Sequence, residues 1–209
     1  MLILKTVNFM LEKIGIKFDA FKLKKTVDFS FVIVEKIIVK LCKLQTFYLD
    51  FYNEMVDTEI KLSSISKYDK ILHVGCGPIP ATSILLAKKM NASVTGIDKD
   101  IILYKHAKKC ISNQDFSDKI QILHANALDF PMETFDVIIV SQGVKPSNQI
   151  LKNIAGRMKN NCRVVYRTSS YRNGKLTDND VFIKDIFSVR EMIHHKKNAL
   201  LISVLLIKK

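Results

Sequence analysis

Between Val34 and Met55 the apolar positions Val34, Ile37, Leu41, Leu44, Tyr48, Phe51 and Met55 recur at steps of three and four residues, with Lys36, Lys40 and Lys43 in the opposite phase. That spacing gathers the apolar side chains into one stripe and the lysines into another, so it predicts a long amphipathic helix. A weaker pattern of the same kind runs through residues 1–25, which makes residues 1–62 a small helical extension. No Gly- or Pro-rich linker follows it, so the extension is expected to pack on the domain formed by residues 63–209.

After Ser63 the pattern becomes short β-branched runs alternating with Lys-rich helical stretches. KILHV (70–74), SVTGI (93–97), KIQIL (119–123), FDVIIVS (135–141) and CRVVYRT (162–168) read as strands, with helices predicted over about 80–90, 100–112 and 147–160. Strands separated by helices of that length form parallel βαβ units with right-handed crossovers. The chain then changes texture. DIFSVREMI (185–193) and ALLISVLLIKK (199–209) are two strand-like runs joined by a basic segment from His194 to Asn198, which predicts a closing antiparallel hairpin. The expected fold is α/β: a doubly wound, Rossmann-like, mostly parallel seven-stranded sheet ending in that hairpin.

Composition narrows the class. Of the 209 residues 48% are hydrophobic, enough for one buried core, and no run approaches the ~20 apolar residues that span a bilayer. The apolar start of the chain is broken by Lys5, Glu12 and Lys13 and shows no small-residue cleavage site, so the expectation is a cytoplasmic protein. The cysteines at 42, 76, 110 and 162 form no C-x-x-C pair and read as buried thiols. The net charge of +13 raises the question of nucleic acid, but only five of the 33 basic residues are arginine and the lysines run along the whole chain. Nucleic-acid sites favour the planar guanidinium, so a solvated lysine-rich surface is the preferred reading.

In open α/β sheets ligands lie beyond the carboxyl ends of the strands, where strand order reverses. The loop after the first strand reads HVGCGPIPATSI (73–84). Gly75 and Gly77 allow a sharp turn and close approach of backbone to a ligand. Asp98 ends the second strand, where a carboxylate accepts from both ribose hydroxyls of a nucleoside; the other reading of Asp98 is a helix N-cap. Ser141, Gln142 and Gly143 end the fourth strand, at the reacting end of such a ligand or in a plain turn. Arg167 ends the fifth strand, where its fork suits a substrate carboxylate or a surface role. His194 and His195 are adjacent and unaccompanied by carboxylate or Cys, so they read as a basic turn, and no metal site is expected.

The sheet with its closing hairpin resembles the class I S-adenosylmethionine (SAM)-dependent transferase fold. That resemblance implies SAM as cofactor, Gly75, Cys76, Gly77 and Pro78 around its methionine end, and Asn126 and Ala127 against its adenine. Two positions depart from the usual methyltransferase loop. His73 stands where an acid is usual and Ile79 where a third glycine is usual, while Pro78 and Pro80 stiffen the turn. VGCGPIPATSI (74–84) closely resembles the VGSGPLPLTSI loop of the nicotianamine synthase family, with Cys for Ser at 76, Ile for Leu at 79 and Ala for Leu at 81. The family's Y-x-x-L-x-x-L-E pattern falls on Tyr52, Met55, Thr58 and Glu59, and VVYRTSSYRNG (164–174) is similar to the stretch after its fifth strand. The first ~45 residues are shorter than the family's helical domain.

This family moves the 3-amino-3-carboxypropyl group of SAM, leaving methylthioadenosine. The resemblance therefore implies transfer of that group to an amine of a small-molecule acceptor, with Glu59 as general base and Tyr52 orienting Glu59 or substrate; the other reading of Glu59 is an exposed acid paired with Lys61. The alternatives that keep the fold are a SAM-dependent methyltransferase acting on a small molecule or macromolecule, and a silent SAM- or nucleic-acid-binding module.

Overall fold

The computed structural model describes residues 45–209 apart from 113–114, 170, 173–174, 177–181 and 196–197. The helical pattern of residues 1–25 and the first part of the 34–55 helix lie outside the described residues. The described part of that helix, α1, is Gln45–Leu62, so it continues past Met55 and carries Glu59 on its last turns.

The domain that follows alternates β1 (Lys70–Val74), α2 (Ala81–Met90), β2 (Ser93–Asp98), α3 (Ile101–Ile111), β3 (Ile120–His124), β4 (Val137–Val140), α4 (Ser147–Arg157) and β5 (Arg163–Thr168). A short α5 (Ile183–Ile186) leads into β6 (Phe187–His195) and β7 (Asn198–Lys208), and a two-residue ribbon pairs Tyr171–Arg172 with Lys175–Leu176. The strand order is β3-β2-β1-β4-β5-β7-β6, seven strands in one sheet. Pairing is parallel from β3 to β5, whereas β7 runs antiparallel to both β5 and β6. The sheet thus ends in the hairpin that the sequence predicts, and strand order reverses between β1 and β4.

Side chains alternate between the two faces of a strand, and the core follows that parity. Ile71, Val137, Ile139 and Val165 meet Val56 of α1, Ile84 of α2 and Ala107 of α3. Their neighbours Leu72, Val74, Ile138, Val140 and Val164 face the other way, onto Ile150, Leu151 and Ile154 of α4. The central β4 is buried at every position, as a parallel strand covered on both faces must be, while β3 at the edge alternates buried and exposed. Arg163 ties the end of α1 to the sheet: its Nη1 donates to the carbonyls of Ser63 and Ser64, and its Nη2 pairs with Asp69.

Parity also decides what meets at the carboxyl ends. His73, Arg167 and Ser203 occupy the face covered by α1 and α2, Arg167 and Ser203 being direct cross-strand partners. Each is a buried polar group with apolar neighbours in its strand, and each has to find its hydrogen bonds inside the protein.

Candidate active site

A cavity of about 310 Å³ opens where the strand order reverses. Its floor is the loop after β1. Gly75 and Gly77 both have positive φ, +73° and +67°. A Cβ on Gly75 would clash with Cγ2 of Val144, so the loop after β4 can close against β1 only over a glycine. Gly96 in β2 has the same role on the other side, because Cβ of Cys76 lies 3.2 Å from where its side chain would begin. Pro80 precedes the first residue of α2, and Pro78 is buried and is not among the residues that line the cavity.

At one end, Asp98 accepts from the backbone N–H of Gly77 and of Asp100, both at 3.0 Å. Burial raises the Asp98 pKa against the lowering effect of those hydrogen bonds. The cap of α3 is Asp100, whose carboxylate accepts from Ile102 and Leu103, so Asp98 is a cavity residue rather than the helix cap. Asn126 and Ala127 line the same end, their loop held by Asn153 donating to the Ala127 carbonyl.

Across the strand ends, His73 is 2% exposed and both its ring nitrogens are engaged, Nδ1 with Ser83 Oγ at 2.9 Å and Nε2 with Ser141 Oγ at 3.0 Å. Burial, followed by the nearby Arg167 charge, pushes its pKa down to about 3, so this cavity wall is neutral.

Arg167 holds the far end and is 3% exposed, which removes the surface reading. Its Nε and Nη2 donate to Glu59 Oε1 and Oε2 at 2.8 and 2.6 Å, and Nη2 also donates to Thr82 Oγ1 at 2.9 Å. Burial disfavours the cation, but the Glu59 carboxylate outweighs it and holds the Arg167 pKa above its ordinary value. Its ring neighbour is Tyr52, with the guanidinium carbon 5.8 Å from the ring centroid, and Tyr52 in turn stacks with Tyr48 at 4.8 Å. Tyr48, Phe51, Tyr52 and Met55 of α1 form an aromatic and thioether wall beside Arg167.

Glu59 is 0% exposed, so it is not a surface acid paired with Lys61. It lies behind Arg167 and outside the cavity lining, with Oε1 also accepting from Ser203 Oγ at 2.6 Å. Ser203 Oγ lies 2.8 Å from His195 Nε2. The serine has one proton and gives it to a carboxylate that only accepts, so His195 Nε2 is the donor to Ser203. His195 is therefore no basic turn but a buried member of a chain from His195 through Ser203 and Glu59 to Arg167. Sequence reading missed Ser203 and His195. The available signal was the lone polar residue in the run from Ala199 to Ile207, which demands a buried partner.

The structure thus brings Tyr52, Gly75, Cys76, Gly77, Asp98 and Asn126 to the cavity, together with Ala127, Ser141 and Arg167. It adds Thr82, which lies within the 74–84 loop, and Tyr48, on the apolar stripe of the predicted helix, neither of them singled out from the sequence as a site residue. Among the described residues no cluster of three or more His, Cys, Asp or Glu side chains is placed to hold a metal.

Comparison with known proteins decides the family. Residues 29–209 match the family model described as nicotianamine synthase protein. The chain belongs to that family. Among solved structures, this nicotianamine synthase family member is similar to a glutamate-to-glutamine mutant of MtNAS in complex with S-adenosylmethionine, with a TM-score of 0.71 and 20% identity, covering 90% of this chain and 75% of that one. The fold is accordingly that of the SAM-dependent transferases. A curated relative is L-histidine 2-aminobutanoyltransferase of Yersinia pestis, 27% identical over 127 residues, 61% of this chain and 46% of that protein. Another is the mitochondrial ribosomal RNA small subunit methyltransferase of Arabidopsis thaliana, 23% identical over 136 residues, 65% of this chain and 33% of that protein. The match spans less than half the length of either relative.

Proposed function

We propose that this protein is a SAM-dependent transferase that moves the 3-amino-3-carboxypropyl group of SAM to an amine of a small-molecule acceptor in the cytoplasm. The observation that carries the reading is the 74–84 loop of this family member, seated at the reversal of strand order with a carboxylate, Asp98, at one end of the cavity and a guanidinium, Arg167, at the other. The cavity's 310 Å³ lies in the range of sites that enclose small molecules.

On this reading Asp98 keeps lone pairs for ribose hydroxyls after accepting from Gly77 and Asp100, and Asn126 and Ala127 border the adenine. Ser141, oriented by His73, faces the middle of the ligand. SAM supplies a sulfonium whose carbon–sulfur bonds are open to displacement. In the balanced reaction the amine lone pair forms the new C–N bond. The C–S electron pair stays on sulfur, leaving neutral methylthioadenosine, and the nitrogen releases one proton to solvent. Tyr52 and its aromatic neighbours form the acceptor side, where removal of water favours a neutral amine nucleophile. Glu59 acts as a positioning residue, fixing the plane of the Arg167 guanidinium and balancing its charge.

The test is to incubate the purified protein with SAM and candidate amines, among them amino acids, and to identify the nucleoside released. Methylthioadenosine is the expected product. Adenosylhomocysteine in its place would show methyl transfer, and confirmed SAM binding with neither product would leave a silent binding module.

A further inference from the structure

Within that reading, one group has an unused valence. Arg167 commits Nε to Glu59 and Nη2 to Glu59 and Thr82. Its Nη1 makes no hydrogen bond among the described residues, and Arg167 lines the cavity. Two N–H donors of a fixed cation are thus left over from these hydrogen bonds. Among the described residues the acids lining the cavity are Asp98 and Asp100, at the β2 end. Between β2 and β5 stand β1 and β4, so the two ends are separated by three strand spacings, about 14 Å. The wall between them is His73, an imidazole whose two nitrogens are satisfied by Ser83 and Ser141, which offers a ligand ammonium group no negative charge.

We propose that Arg167 Nη1 anchors the carboxylate of the methionine end of SAM, and that stretching the ligand between Asp98 and Arg167 presents the aminocarboxypropyl carbon, rather than the methyl, to the acceptor. The direction follows from the walls. With the ribose held at β2 and the carboxylate at β5, sulfur lies over β1 and β4, and the arm that reaches Arg167 runs beside Tyr48, Phe51 and Tyr52 of α1. An amine entering along that wall meets the arm held by Arg167. The buried ion pair with Glu59 is what makes the anchor rigid: of the five N–H donors, three are consumed in setting the guanidinium plane and two remain for the ligand.

The test is calorimetric titration of SAM, decarboxylated SAM and methylthioadenosine into the wild type, Arg167→Lys and the double variant Glu59→Gln/Arg167→Met. The lysine variant keeps a cation for Glu59, and the double variant strands no charge, so at least one folded protein reports on the anchor. Wild type is expected to hold SAM about 10- to 100-fold tighter than decarboxylated SAM, and the variants to lose most of that ratio. Under saturating SAM the variants are also expected to release methylthioadenosine more slowly, with a larger share of any product as adenosylhomocysteine. Equal binding of SAM and its decarboxylated analogue by wild type would overturn the anchor, as would a ratio that survives in both variants. A raised acceptor KM with that ratio unchanged would assign Arg167 to the acceptor instead. Wild-type methylthioadenosine release by a variant that has lost the ratio would overturn the steering of the reaction. Release of methylthioadenosine by the wild type tests the proposed activity separately from all of these.

Discussion

Glu59 and Arg167 are a buried ion pair 108 residues apart in sequence, and a double-mutant cycle measures what they do for the fold. With exposures of 0% and 3%, neither group can turn to water when its partner is removed. Glu59→Gln leaves a buried guanidinium without its counterion and weakens the Ser203 hydrogen bond. Arg167→Met leaves a buried carboxylate. Each single change is expected to cost about 3–5 kcal/mol, the usual penalty for breaking a buried pair from one side. The double variant removes both charges together, and replacing a buried pair by neutral groups of similar size is often close to neutral. The two singles should therefore sum to well above the double, with a coupling of about 3 kcal/mol or more. Urea unfolding at neutral pH, followed by circular dichroism, gives the four free energies. Values that add to within about 0.5 kcal/mol would mean that the two side chains do not share one desolvated site, and the positioning role of Glu59 would fall with them.

Gly96→Ala should weaken SAM binding at least several-fold although Gly96 does not line the cavity, because the new Cβ would meet Ile122 Cδ1 at 2.8 Å and Cys76 at 3.2 Å and push the loop; SAM titration checks it, and unchanged affinity would contradict the packing. His73 is neutral in the folded protein down to a pKa of about 3, whereas in the unfolded chain it protonates near 6.5. The unfolded state therefore binds the extra proton across that window, and stability should fall by roughly 1.4 kcal/mol per pH unit as pH drops from about 6.5 towards 3. His195, lowered by burial, adds to the loss in the same direction. Unfolding at pH 6.5 and pH 4.5 should show a shallower slope for His73→Gln, and equal slopes would refute it. Cys162, whose thiol is pushed up to about 12 by burial, should resist thiol reagents at pH 8 until the protein is unfolded, as mass spectrometry of alkylated peptides would show.

The local chemistry of the chain determined much of this architecture. Runs such as KILHV and CRVVYRT carry apolar side chains on both faces, so they belonged in a covered parallel sheet, and strand parity sent their residues to two cores. The 74–84 loop and Asp98 were legible because a tight turn and the acid ending the next strand lie close in sequence and have narrow chemical uses. What the sequence left open were pairings between residues far apart. Glu59 read as a base with an exposed acid as the other reading, Arg167 as a carboxylate ligand or a surface group, and His195 as part of a basic turn. Only the tertiary structure, by laying α1 across β5 and β7, put these three with Ser203 in one dry site, where each charge or polar atom needs the next one as its partner.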